Sequence, residues 1–144
     1  PYNFSFLEAN LILNGCRNVV AHNLIASNEN DVEMDLFFNP KNTGNTSAYN
    51  FRESSEKVSN KTIILDELLV GEKVTLIKLD IQDMEWFALD GCRNTIKENK
   101  PMIVIEWNNT NQHLSKINQL FQEHGYTLSE ILCVPSEVRI YEAK

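Results

Sequence analysis

Hydrophobic residues along the chain fall into short runs whose spacing switches between helical and strand periods. Phe4, Leu7, Leu11 and Leu13, with Ala9 and Ile12 between them, give an apolar stripe at roughly helical spacing, and Asn14-Gly15 supplies the stop. Residues 18–25 (N-V-V-A-H-N-L-I) read as a β-rich run, followed by the polar turn Ser27-Asn28-Glu29-Asn30. Residues 31–38 then alternate, with Val32, Met34 and Leu36 on one face and acids at 31, 33 and 35 on the other, the pattern of a half-buried strand. Residues 39–60 are polar, with Pro40, Gly44 and many Asn and Ser. They predict a mobile loop with a short strand around 49–51.

The second half is more regular. Residues 61–65 read as a strand, and 66–69 as one helical turn with Asp66 near its cap. Residues 73–81 (K-V-T-L-I-K-L-D-I) are nearly all apolar, which predicts a central strand in a sheet covered on both faces. A helix over 84–98 follows, then a second buried strand over 101–107. Residues 113–124 form an amphipathic helix closed by Gly125, with Leu114, Ile117, Leu120 and Phe121 on its apolar face. Two strands, 126–134 and 137–141, flank Pro135-Ser136. Alternation of strand and helix predicts an α/β domain with a largely parallel sheet whose last two strands pair as a hairpin.

Composition narrows the function classes. With 144 residues, 42% hydrophobic and 23% charged, the chain has the profile of one soluble globular domain. No apolar run approaches the ~20 residues that span a bilayer. The net charge of −7, from 13 basic and 20 acidic residues, has the wrong sign for binding a nucleic-acid backbone. Cys16, Cys92 and Cys133 are odd in number and far apart, with no CxxC and no His at ligand spacing, so they read as reduced thiols and no metal site is expected. Asn-rich stretches give four matches to the glycosylation sequon, which 18 Asn in 144 residues produce by chance. The chain opens on Pro1 and goes straight into an apolar periodic segment with no signal-like leader, as a piece of a longer protein would.

Candidate chemistry sits where α/β sheets bind ligands, at the carboxyl ends of the strands. The strand over 74–81 ends in Asp80, the next turn carries Gln82-Asp83-Met84-Glu85, and the following strand ends in Glu106. A carboxylate there can accept a proton, grip a hydroxyl or ligate a metal. Equally, Glu85 can favour the new helix through its dipole and Asp83 can be merely solvated. Lys78, two residues before Asp80, shares its sheet face and can pair with it. Trp86 and Trp107 could stack on an aromatic acceptor, although tryptophans at such positions more often pack in the core.

The order of several segments carries a resemblance. T62-I-I-L-D-E-L-L69, V74-T-L-I-K-L-D-I-Q-D-M-E85, A88-L-D-G-C92, K100-P-M-I-V-I-E106 and H124-G-Y126 together resemble the FkbM family of S-adenosylmethionine-dependent methyltransferases. Upstream, P1-x-N-x-x-x-L-x-x-N10-x-x-L-N14 and N18-V-V-x-x-N23-x-x-A26-S27 resemble that family's helix and strand after the second sheet strand, so the likeness covers essentially the whole chain. The family's usual Glu-Gly after the aspartate is here Gln82-Asp83, which removes backbone freedom at a tight turn. The family also opens with a strand and a glycine-rich turn that cradles the cofactor, and nothing in this chain resembles them.

The resemblance implies that residues 1–144 are a methyltransferase domain lacking its N-terminal βαβ unit. The implied fold is a partial class I, Rossmann-like sheet with flanking helices and a C-terminal antiparallel hairpin. It implies S-adenosylmethionine as cofactor, with Asn23, Ala26 and Ser27 on the adenine side and Asp80 nearest the methyl group. Lys78 and Glu85 would support Asp80, Glu106 would line the substrate side, and residues 39–60 are a candidate lid. The implied reaction is O-methylation of a hydroxyl on a small molecule or glycan, with no nucleic-acid partner and no membrane segment. Loss of the first unit would leave an edge of the 74–81 strand unpaired and the helix over 4–13 poorly covered, so negligible cofactor binding by this chain alone is expected. Two other classes compete. A catalytically inactive relative serving as a binding module is motivated by Gln82-Asp83. A receiver-like phospho-acceptor built on Asp80 lacks the N-terminal acidic pair and the late Lys that such domains use.

Overall fold

Among the described residues the strands form two four-stranded sheets, in orders β1-β4-β2-β3 and β5-β6-β8-β7. The computed structural model describes residues 2–39, 42–48, 56–107, 111–133 and 137–144. The first sheet comprises β1 (Ile25–Ser27), β2 (Glu33–Asn39), β3 (Asn42–Ser47) and β4 (Glu56–Ile64), and the second β5 (Leu76–Leu79), β6 (Met102–Trp107), β7 (Tyr126–Cys133) and β8 (Glu137–Ala143). Five helices join them: α1 (Tyr2–Leu13), α2 (Leu65–Leu68), α3 (Glu85–Asp90), α4 (Arg93–Asn99) and α5 (Leu114–Glu123). Parallel pairs β1–β4 and β5–β6 coexist with antiparallel β2–β3, β2–β4, β6–β8 and β7–β8. The α/β architecture and the C-terminal hairpin are those the sequence predicts, but the largely parallel sheet is not: both sheets are mixed, and antiparallel pairs outnumber parallel ones among the described residues.

The core lies in the second half. Ile103, Ile105 and Trp107 point from one face of β6 onto Leu89, Ile96, Ile117, Leu120 and Phe121, all buried. Helix α5 meets them because its apolar residues recur every three or four positions and share one side. Phe121 and Tyr141 close the cluster with ring centroids 4.2 Å apart, and the Tyr126 hydroxyl donates to the Pro101 carbonyl at 2.7 Å.

Four elements differ from what their own residues predict, through the presence or the lack of partners remote in sequence. The helix expected over 84–98 is broken into α3 and α4 at Gly91-Cys92. Gly91 lies so close to the Ser27 carbonyl that a Cβ there would sit 1.9 Å from its oxygen, and the Asp66 carboxylate accepts from the backbone N–H groups of Asn94 and Thr95, capping α4 from a distance. Residues 18–24 form no strand; only Ile25–Ser27 pairs, against Thr62–Ile64. The expected loop over 39–60 contains β3 and the first part of β4 instead. Those polar residues become strands because β2 pairs with them: Lys57 and Ser59 both donate to the Asp35 carboxylate, at 2.9 and 2.7 Å. The short strand proposed around 49–51 lies outside the described residues, as does much of the candidate lid.

The fourth is β5, an edge strand where its apolar run alone predicts a central one; the unpaired edge is what the resemblance to a domain lacking its first unit implies. It pairs only with β6 among the described residues, and Leu76 remains 55% exposed. Among the described residues β1 is also an edge, paired with β4 alone. Helix α1 ends as the sequence suggests, with Gly15 at φ +64° and the Cys16 N–H donating to the Leu11 carbonyl at 2.9 Å. Its apolar residues are spread round the helix, not gathered on one stripe, and most are exposed.

Candidate functional site

A cleft of about 640 Å³ separates α1 and the open edge of β1 from the carboxyl end of β5. Phe4, Leu7, Ile25, Leu36 and Val58 make it apolar, and Asn23 and Asp80 stand in its wall. A second cavity of about 270 Å³ shares Asp80 and Ile81 with the first and extends past Ala26, Ser47, Gln82 and Met84. Asp80 is therefore common to both spaces.

Sequence spacing explains how Asp80 arrives there. Lys78 and Asp80 lie two residues apart on one sheet face, and the Lys78 ammonium contacts the Asp80 carboxylate at 3.2 Å with both side chains partly exposed. The parallel register runs to Leu79 and Ile105, so Asp80 follows the last paired residue of β5 and Glu106 follows that residue's partner on β6. The Gln82 side-chain amide donates to Glu106 Oε2 at 3.1 Å. Thus each acid is held by a different neighbour.

The turn that follows is strained. Gln82 and Asp83 both adopt left-handed backbone, at φ +52° and +73°, a region that costs a non-glycine residue about 1–2 kcal/mol. Three tethers hold it. The Ser47 hydroxyl donates to the Gln82 carbonyl at 3.3 Å, Gln82 bonds Glu106, and the Ile81 N–H donates to Glu85 Oε1 at 3.1 Å. Asp83 thus keeps a conformation that glycine would adopt without strain, so the substitution costs energy and leaves the turn intact.

Glu85 lies apart from the cleft. It is 3% exposed, and its second carboxylate oxygen accepts from the Asn111 amide at 3.3 Å. Burial pushes its carboxyl above the ordinary range, against the lowering effect of backbone N–H groups. Its geometry is that of a clamp joining the 81–85 turn to the segment before α5. Ser27 is also buried, against Gly91, and does not line either cavity, whereas Ala26 lines the smaller one. Asn23 accepts from the Asn60 amide at 2.9 Å across the cleft wall. The structure therefore pairs Asp80 with Lys78, ties Glu106 to Gln82 outside the lining of either cavity, sets Asn23 and Ala26 on the cavity walls, and turns Glu85 and Ser27 inward.

Other candidates resolve into packing. Trp86 and Trp107 are buried, and the Arg139 guanidinium lies 3.8 Å from the Trp107 ring centre. Cys16 and Cys92 are free thiols; burial raises Cys92 to about 11, which makes it a poor nucleophile, and the side chain of Cys133 lies outside the description. Sequence reasoning missed three residues that shape the site. Gln82 stood out only as a departure from a motif, Ser47 lay in an expected loop, and Asn111 carried no signal at all. No helix among the described residues is long and apolar enough to cross a membrane.

Comparison with known proteins adds two findings. The family model for the methyltransferase FkbM domain matches residues 2–128. Methyltransferase FkbM from Methylobacillus flagellatus KT, known from a crystal structure, is similar in fold, with a TM-score of 0.66 and 19% sequence identity. The likeness covers 98% of this chain and 34% of that one, so the chain spans about a third of the length of the solved protein. A comparison with curated proteins found no match.

Proposed function

Taking as premise that the chain belongs to the FkbM methyltransferase domain family, we propose that it supplies the acceptor side of an S-adenosylmethionine-dependent O-methyltransferase. The observation that carries this is the cleft between two open parallel edges, β1 and β5, with Asp80 in its wall. Further strands laid between those edges would join the two sheets into one. We take such strands to come from the remainder of the whole protein.

The residues present fit part of the cofactor. Apolar Leu24, Ile25 and Leu36 with Asn23 and Ala26 offer a wall for a heteroaromatic base, and Asp80 faces the same space. No glycine-rich turn is available in the chain to cradle the amino-acid end. When bound, the cofactor would supply an electrophilic sulfonium methyl group. This chain's own task is alignment and proton removal: Asp80, in the wall of both cavities, accepts the proton of an acceptor hydroxyl. Lys78 keeps Asp80 oriented. A small molecule or glycan is the substrate class, and the carboxylates at the rim disfavour phosphorylated acceptors.

A non-catalytic binding module is the other reading, motivated by Gln82-Asp83. The intact left-handed turn supports the enzymatic one. The experiment is methyl transfer to a glycan panel by the whole protein carrying this chain. Asp80→Asn should lower kcat by about 10²–10⁴, the usual worth of a positioned general base. Activity within a factor of about ten of the parent would contradict the assignment of Asp80.

A further inference from the structure

We propose that Asn111 is a positioning residue: its amide holds the Glu85 carboxylate inside the 81–85 turn, and the turn so held sets Asp80 in the cleft wall. The proposal rests on the methyltransferase reading and deepens it, adding a residue that lines neither cavity yet controls the proposed base.

The turn is built around Glu85. Backbone N–H groups of Ile81, Asp83 and Glu85 itself donate to its carboxylate, that of Ile81 to Oε1 at 3.1 Å. Consecutive left-handed residues, here Gln82 and Asp83, gather neighbouring N–H groups on one concave side, which suits an anion. The strained turn therefore carries its own anion. Asp83 opposes that charge from within the turn, so the donors must outweigh it.

Asn111 completes the enclosure from the α5 side. Its amide nitrogen donates to Glu85 Oε2 at 3.3 Å, while its oxygen accepts from the His113 N–H at 2.8 Å. Reversing the amide would set oxygen against the carboxylate and nitrogen against an N–H, so its orientation is fixed. Both Glu85 oxygens accept, which is the bonding of the ionised acid. Protonation turns one oxygen into a donor and forfeits a partner. Glu85 and Asn111 are both buried, so that loss is felt in full. The other titratable groups round the cluster are His113 and Lys116 at the start of α5; burial and the Lys116 charge hold the His113 imidazole neutral at pH 7.

The link to Asp80 is covalent. The Ile81 N–H and the Asp80 carbonyl belong to one planar peptide, so fixing the N–H fixes the backbone from which the Asp80 side chain leaves. Ile81 lines both cavities with Asp80. Beyond it, the Ser47 hydroxyl holds the Gln82 carbonyl, so the segment is gripped from β3 and from the α5 side.

The test follows the turn itself. The isotopically labelled 144-residue chain is titrated from about pH 4 to 9, while NMR records the Ile81 and Asp83 amides, the Glu85 carboxyl carbon and the His113 ring. We expect both amides to move with the Glu85 midpoint and not with that of His113. Asn111→Ala should raise the Glu85 midpoint by at least about one pH unit, the worth of a hydrogen bond to a charged group, and carry the amide transitions with it. Asn111→Ser, whose hydroxyl still accepts from the His113 N–H but stops short of Glu85, should do the same and guards against a folding defect. Glu85→Gln should keep both amides at their low-pH positions throughout. In methyl transfer by the whole protein carrying this chain, Asn111→Ala should move the acid limb of the kcat profile up by the same interval and regain the parent plateau within about threefold at higher pH. Amides that follow His113 or do not titrate, a Glu85 midpoint unmoved in both Asn111 variants, or a lowered plateau with an unmoved limb would overturn the proposal. The NMR readout needs no methyl donor, so failed methyl transfer would count against the methyltransferase reading alone, and an unmoved midpoint against the role of Asn111 alone.

Discussion

Helix α1 carries more large apolar side chains than α5, yet the two treat them in opposite ways. In α5, Ile117, Leu120 and Phe121 are at most 2% exposed, whereas in α1, Phe6, Ile12 and Leu13 are 57%, 78% and 82% exposed. The difference lies in the partners. Helix α5 packs on a four-stranded sheet that is filled on that face, while α1 stands beside a cleft bordered by two unpaired edges. A helix apolar on all sides is the kind found buried on more than one side. The lesson is that hydrophobicity sets what a segment requires, and the neighbouring strands decide whether the requirement is met.

The contrast can be broken most forcefully by emptying each half in turn. Leu120→Ala removes a fully buried side chain from the closed half and should cost about 2–5 kcal/mol in chemical denaturation. Leu13→Ser in the open half should change stability by less than about 0.5 kcal/mol. A comparable loss from both would mean that α1 is already packed. Next in size is the joint between halves. Gly91→Ala drives a Cβ against the Ser27 carbonyl and should cost about 1–3 kcal/mol, with faster hydrogen exchange at 25–27 and 62–64. Unchanged exchange there would show that α3 does not hold β1 in place.

Smaller effects sharpen the comparison at the cleft. Asp83→Gly relieves a left-handed residue and should stabilise the chain by about 1 kcal/mol in chemical denaturation; a loss of stability would contradict the strain at this turn. Glu85 gives a pH signature. Its folded carboxyl is raised, so the native state holds an extra proton in the window above about 4.5, and native stability declines as pH rises through that window. Glu85→Gln lacks this dependence. Its stability relative to the parent should improve as pH rises from 4 towards the raised midpoint and then level off. A difference that is flat with pH would place Glu85 in contact with solvent.

Much of the closed half was legible because its signals are local. The strand over 101–107 appears as Met102–Trp107 and the helix over 113–124 as Leu114–Glu123, since each follows from periodicity within its own residues. The pairing of Lys78 with Asp80 followed from the two-residue period of a strand. What escaped depends on distant partners. β3 and the start of β4 are polar and become strands only against β2, residues 18–24 lack a strand to pair with, and the break at Gly91 answers to Ser27. In the site, Glu85 looked like an exposed helix-start acid, and only the fold reveals that Asn111 and the Ile81 N–H enclose it. Gln82 looked like a defect in a motif and proves to be the residue that orients Glu106.

The central claim is that this chain forms one side of a cofactor cleft whose other side comes from strands laid between β1 and β5. Isothermal titration of the 144-residue chain with S-adenosylmethionine tests it most directly. We predict no measurable binding heat, because one wall without a glycine-rich cradle for the amino-acid end or its completing strands offers too few contacts. A saturable isotherm with a micromolar Kd would contradict it.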